Sequence, residues 1–277
     1  MWAERDCKKY RDGYPGKVDK SLQQGENGPC RNLRFYRNQL RSKPDNALVS
    51  EFHSNWRGAY QELESHHGFI QWLFPIREKG MNYQSQPLTL YEKEKLRNDD
   101  QARLLLLRSL ELMMDFYGFD TIMADRDSPD SDVVFERSEK WRVRFRNLNT
   151  SSHNYLRITR IIKCLGELGH ERLQAVVVRA FLQQYKKGRL NNIGNSLENY
   201  WIGVVRNGDE RQALLDELSE FHAKQVNQKK RSRKQLFWPS GSDSDSEEES
   251  FRVRPSDDDS EPGRPLKRRS SAQQLYP

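Results

Sequence analysis

Three short runs hold the side chains whose types and spacing could do chemistry. His66-His67 offers two imidazoles of the kind that bind zinc. A zinc site needs three or four ligands, and no cysteine or carboxylate falls at ligand spacing on the predicted His66–Phe74 helix. Ser151-Ser152-His153 sets hydroxyls beside an imidazole. Adjacent residues rarely face each other, and nucleophile–base pairs are assembled from distant segments, so Ser152 reads better as a helix N-cap. The third run, Trp72-Leu73-Phe74-Pro75-Ile76-Arg77-Glu78, is different in kind. It puts aromatic, apolar and charged groups at one helix end. Such an end is suited to gripping a short peptide, with Glu78 for an amine, Trp72 and Phe74 for rings, and Arg77 beside them. The plainer alternative is a helix end buried against its neighbours. No glycine-rich phosphate loop, nucleophile elbow or cofactor motif accompanies these runs, so neither an enzyme nor a cofactor is expected.

Helices must position these groups. Leu48, Val49, Phe52, Trp56, Ala59, Tyr60 and Leu63 step along one helical face, with Asp45 or Asn46 as the N-cap. Pro75 should stop the short helix that follows. Thr89 and Glu92 fit a capping box, three residues apart. Gln101–Tyr117 is apolar nearly all round and reads as a central helix closed by Gly118. Val134–Leu148 alternates like a strand at Trp141, Val143 and Phe145, and also steps like a helix; its length, and the lack of a second strand to pair with, favour helix. Three further helices follow, around Leu173–Gln184, Leu197–Val205 (capped by Asn195 or Ser196) and Leu214–Phe221 (capped by Asp209). The expected fold is all-α, an irregular bundle of about eight or nine helices with a disordered charged C-terminal tail, and no fixed repeat. Its expected domains are a flexible segment over 1–31, a helical domain over 32–225 and a tail over 228–277.

His153–Gly169 is the densest stretch. Tyr155, Ile158, Ile162 and Leu165 share one helical face, and Gly169 sits where a left-handed C-cap is wanted. Arg157, Arg160 and Lys163 fall on the other flanks, as a cationic outer rim. With Arg137, Lys140, Arg142, Arg144 and Arg146 they make eight cations against two acids between Glu136 and Lys163. That local excess admits two readings: a basic face for nucleic acid or another anionic partner, or a solvated rim with counter-charges from other segments.

Four motifs, FYRN at Phe35–Asn38, IQWLFPIRE at Ile70–Glu78, RFRNLN at Arg144–Asn149 and the His153–Gly169 run, are similar to the conserved domain of the opioid growth factor receptor family. The resemblance runs from about Leu33 to Asn207. It implies binding of the opioid pentapeptide Met-enkephalin, restraint of cell growth, and a place in the nucleus and perinuclear cytoplasm with peripheral association at the nuclear membrane. It implies no particular binding residues. The chain carries neither the long acidic N-terminal extension nor the tandem C-terminal repeats of some members, and reads as a shorter homologue or as a receptor-like relative whose ligand differs.

The totals agree with one domain plus appendages: 277 residues, 35% hydrophobic, 31% charged, formal charge +7. No run approaches a membrane span, and the N-terminus lacks an apolar signal core, so a soluble protein outside the secretory route is expected. Cys7, Cys30 and Cys164 are too few and too scattered for a disulfide framework, which fits a reduced compartment. The tail alternates basic clusters at Lys229, Lys230, Arg231, Arg233 and Lys234 and at Lys267, Arg268 and Arg269 with acidic serine-rich runs. The clusters suit a nuclear import receptor, and Ser242, Ser244, Ser246, Ser256 and Ser270 are candidate phosphorylation sites whose phosphate would mask the neighbouring cations.

Overall fold

A computed structural model describes residues 2–17 and 28–237, with side chains to 230. Residues 1–230 cluster as one unit and 231–277 as a second, of which only the helix end to Phe237 is described. In chain order the helices are α1 (Trp2–Arg11), α2 (Arg31–Tyr36), α3 (Val49–Asn55), α4 (Tyr60–Ser65), α5 (Ile70–Leu73), α6 (Leu90–Arg97) and α7 (Asp100–Tyr117). A hairpin of β1 (Phe119–Met123) and β2 (Val133–Arg137) follows. Then come α8 (Trp141–Thr150), α9 (His153–Glu167), α10 (Glu171–Lys186), α11 (Gly194–Ser196) with a π-helical turn over Leu197–Trp201, and α12 (Gly208–Phe237). The architecture is all-α apart from that hairpin: twelve helices among the described residues, against the eight or nine expected.

Local chemistry sets the elements where the sequence announced them. Thr89 Oγ1 accepts from the Glu92 amide at 3.1 Å, and Glu92 returns the bond to the Thr89 amide at 3.2 Å. The same fully buried carboxylate accepts from the Asn32 amide at 2.8 Å, so one side chain caps α6 and α2 together. Asp99 caps α7 by accepting from the Ala102 amide, and Gly118 closes it at a φ of 96° that other residues avoid. Leu106, Leu110, Met113 and Phe116 of α7 are buried. Ile158, Ile161, Ile162 and Leu165 of α9 and Leu173, Val177 and Phe181 of α10 join them in the core. Gln174 ties this centre together, donating to the carbonyls of Ile162 and Val204 at 2.8 and 3.2 Å and accepting from the Arg206 amide at 3.0 Å.

Several expectations are corrected. Residues 1–31 are not uniformly loop. α1 is a helix whose Cys7 and Tyr10 are buried, with Tyr10 Oη donating to the Lys163 carbonyl at 2.8 Å. Its amphipathic pattern is too short to stand out in a polar stretch. Val134–Leu148 is not one helix. Its first part is β2, because Phe119–Met123 supplies the pairing strand, Ile122 opposite Val134; its second part is α8. The 48–63 face breaks into α3 and α4 around Gly58, which takes a φ of 75°. Ser152 makes no capping bond, and Asn207 rather than Asp209 accepts from α12, at the Glu210 amide. α12 continues past the expected boundary at 225. All three cysteines are free thiols. No helix among the described residues is long and apolar enough to cross a membrane.

Candidate functional site

The cations of α9 point inward, and that is what shapes the site. Arg157 donates to the Leu63 carbonyl at 2.7 Å, the His66 carbonyl at 2.6 Å and Asn154 Oδ1 at 3.1 Å. Leu63 and His66 end α4, so Arg157 satisfies carbonyls that a helix terminus leaves unpaired. Arg160 Nε does the same for Phe74, the residue that ends α5, at 2.8 Å. On α8, Arg144 Nε donates to Phe116 in the last turn of α7 at 2.7 Å, and its guanidinium lies 4.5 Å from the Tyr60 and Phe116 ring centres. Burial lowers the pKa of Arg157 and Arg144, and both find their compensation in carbonyl dipoles and ring faces.

Lys163 is the fourth inward cation, its side chain 4% exposed. Nζ sits 2.9 Å from Glu78 and 3.1 Å from Asp6. Burial alone would lower its pKa; the two carboxylates outweigh that and leave it raised. Burial alone would raise Glu78; Lys163 and the Tyr14 hydroxyl, which donates at 2.7 Å, leave it lowered instead.

Above this charged floor opens a cleft of about 570 Å³. α1 supplies one wall with Trp2 and Asp6, the chain after α5 another with Ile76, Glu78, Lys79 and Met81, and α9 a third with Leu156, Thr159, Arg160 and Lys163. Its lining is apolar at the rim: Trp2 is 66% exposed, Leu156 75% and Met81 93%. Large apolar side chains gathered at the mouth of one concave surface mark a place where something binds. At the cleft's edge His67 and His153 stack edge to face at 5.4 Å, and His153 faces Glu64 at 3.1 Å.

Of the four residues proposed to grip a peptide, only Glu78 lines this cleft. Trp72 is core, with Nε1 donating to the Lys43 carbonyl at 3.0 Å, and Phe74 is fully buried. Arg77 is buried against the Tyr14 ring and donates to the Gly13 carbonyl. The helix-end reading is the one these three obey. The basic face divides as well. Arg144, Arg157, Arg160 and Lys163 are turned inward, while Arg137, Arg142 and Arg146 are exposed, so the outer rim expected on α9 does not exist as such. Lys229 and Lys230 are exposed on α12; Arg231, Arg233 and Lys234 lie on its backbone, their side chains outside the described residues. Lys267, Arg268, Arg269, Ser242, Ser244, Ser246, Ser256 and Ser270 also lie outside the described residues. His66 pairs with Asp45 at 2.8 Å, and Ser151 Oγ donates to Asn147 rather than to His153. No group of three metal-ligating side chains occurs among the described residues.

The sequence reading missed Trp2, Asp6, Met81 and Leu156 as site residues. One signal was present: Leu156 is a large apolar residue off the buried stripe of α9, where a solvated helix would carry a polar one.

Fold and site together define a helical domain with an open, apolar-rimmed cleft over a charged floor. Residues 25–236 match the model of the opioid growth factor receptor conserved region. The rat and human opioid growth factor receptors are each 40% identical over 214 residues, 77% of this chain and 35% and 30% of theirs. The mouse opioid growth factor receptor-like protein 1 is 38% identical over 216 residues, 78% of this chain and 44% of its own. The chain belongs to the opioid growth factor receptor family. The match spans less than half the length of these relatives. No solved structure matches. α1, which walls the cleft, lies before the matched residues.

Proposed function

We propose that this domain is a non-enzymatic receptor that grips an opioid pentapeptide, Met-enkephalin, in the cleft between α1 and α9. The observation that carries the reading is the combination of an apolar rim with two carboxylates to one lysine at the floor. Asp6 and Glu78 keep about a third of their side-chain surface open (33% and 32%), enough to accept an ammonium while holding Lys163. Trp2, Leu156 and Met81 give aromatic and thioether side chains a surface to cover. Lys79 and Arg160 on the same walls suit the peptide's C-terminal carboxylate. Binding rather than turnover is the whole of its chemistry, and restraint of cell growth follows from that binding in a nuclear protein brought there by its two basic clusters.

Calorimetry of the full chain with Met-enkephalin, and with an analogue lacking the N-terminal tyrosine, tests the reading. Heat with the first and none with the second is expected, because ring and amine are the anchors. No heat with either peptide removes the proposal. For import, a fluorescent fusion with both basic clusters changed to alanine should lose nuclear accumulation; unchanged accumulation refutes that part.

A further inference from the structure

The cations left outside form a second surface, and it does not depend on the peptide reading. Arg137 of β2, Arg142 of α8 and Arg189 after α10 converge on one indole: their guanidinium carbons lie 4.6, 4.9 and 5.3 Å from the Trp141 ring centre. None of the three has a carboxylate ion pair among the described residues, unlike Lys163 or Arg206. Three like charges around one ring repel one another, and the ring's quadrupole offsets that only in part. Exposed Lys140, Arg146 and Lys187 extend the same sign, with Glu136 and Glu139 as the nearby acids in sequence. A depression of about 370 Å³ is lined by two of these arginines, Arg137 and Arg189, together with Lys187 and one acid, Glu136. α8 begins at Trp141, carries no acid in its first turn and receives no side-chain cap from Lys140, so its positive end faces the same place.

We propose that the Trp141 surface binds single-stranded nucleic acid. Guanidiniums lying over an indole leave in-plane N–H donors free for phosphate oxygens; at Arg189 one of them, Nη1, is already given to Gln184 Oε1 at 3.0 Å. Their outer faces, and the indole edge, present flat surfaces on which unpaired bases stack; a duplex hides those base faces. An acidic peptide would use the charge but has no partner for the planar stack, which is why nucleic acid is the occupant the geometry favours.

The test is fluorescence anisotropy of a labelled single-stranded RNA of about 20 nucleotides with the full chain. Lys229→Ala, Lys230→Ala, Arg231→Ala, Arg233→Ala, Lys234→Ala, Lys267→Ala, Arg268→Ala and Arg269→Ala are made first, so neither basic cluster of the tail can supply the binding. This background should bind with an affinity that falls as salt rises, with a log–log slope of about −2 from three phosphate contacts. Adding Arg137→Glu, Arg142→Glu and Arg189→Glu should weaken binding at least about tenfold and flatten the slope. Arg137→Lys, Arg142→Lys and Arg189→Lys together should keep the slope and lose affinity by several-fold, because charge stays and stacking goes. Met-enkephalin calorimetry should be the same for all of these. No RNA binding by the background, equal binding by the glutamate variant, or displacement of RNA more readily by polyglutamate than by unlabelled RNA would each overturn the proposal.

Discussion

Arg157 and Arg142 sit on consecutive helices in the chain's most basic stretch, yet they live in opposite worlds. Arg157 is buried and spends its donors on the loose carbonyls at the end of α4; Arg142 is exposed and leans on Trp141. The same division separates Arg144, Arg160 and Lys163 from Arg137 and Arg189. Positive charge in this family domain therefore does two jobs. Inward, it ends other helices and floors the cleft. Outward, around Trp141, it clusters without carboxylate partners among the described residues.

The comparison breaks first at Arg157. Arg157→Ala removes charged hydrogen bonds and leaves two terminal carbonyls unpaired in a buried site, and should cost about 4 kcal/mol in urea unfolding. A loss below about 1 kcal/mol would show that α4 does not rely on it. Next comes acid. His170 is 1% exposed, and burial, with Arg103 nearby, lowers its pKa to about 4 from 6.5. The folded state keeps it neutral while the unfolded chain protonates. Its contribution is thus complete above about pH 6.5 and drains away as pH falls toward 4, by about 3 kcal/mol. The difference in stability between wild type and His170→Gln should shrink over that window; a constant difference would contradict it. Tyr10→Phe should cost about 1 kcal/mol, since it loses the bonds to the Lys163 carbonyl and Gln174 that hold α1 to α9 and α10. Arg142→Ala, the outward counterpart, should stay within about 0.5 kcal/mol of wild type. A large loss there would erase the distinction.

What could be read from the residues alone follows the range of the interaction. The Thr89–Glu92 box, the Gly118 end of α7 and the Gly169 stop are local, and each appears where its spacing placed it. The inward turn of Arg157 was not legible, because nothing near residue 157 says that the end of α4 will arrive there. β2 was missed for the same reason: its partner Phe119–Met123 is only five residues long and follows α7 with Gly118 alone between them. The cleft was the least legible part. It joins Trp2, Met81 and Leu156, three side chains from distant segments, and of the four residues proposed to grip a peptide only Glu78 reaches it.

Leu156 offers the most direct test of the claim that this cleft is where the domain grips its ligand. It is 75% exposed on α9 and lines the cleft, so Leu156→Asp should leave the melting temperature unchanged. Met-enkephalin titrated into that variant by calorimetry should bind at least about tenfold more weakly than to wild type. Equal affinity in the two proteins would contradict the account.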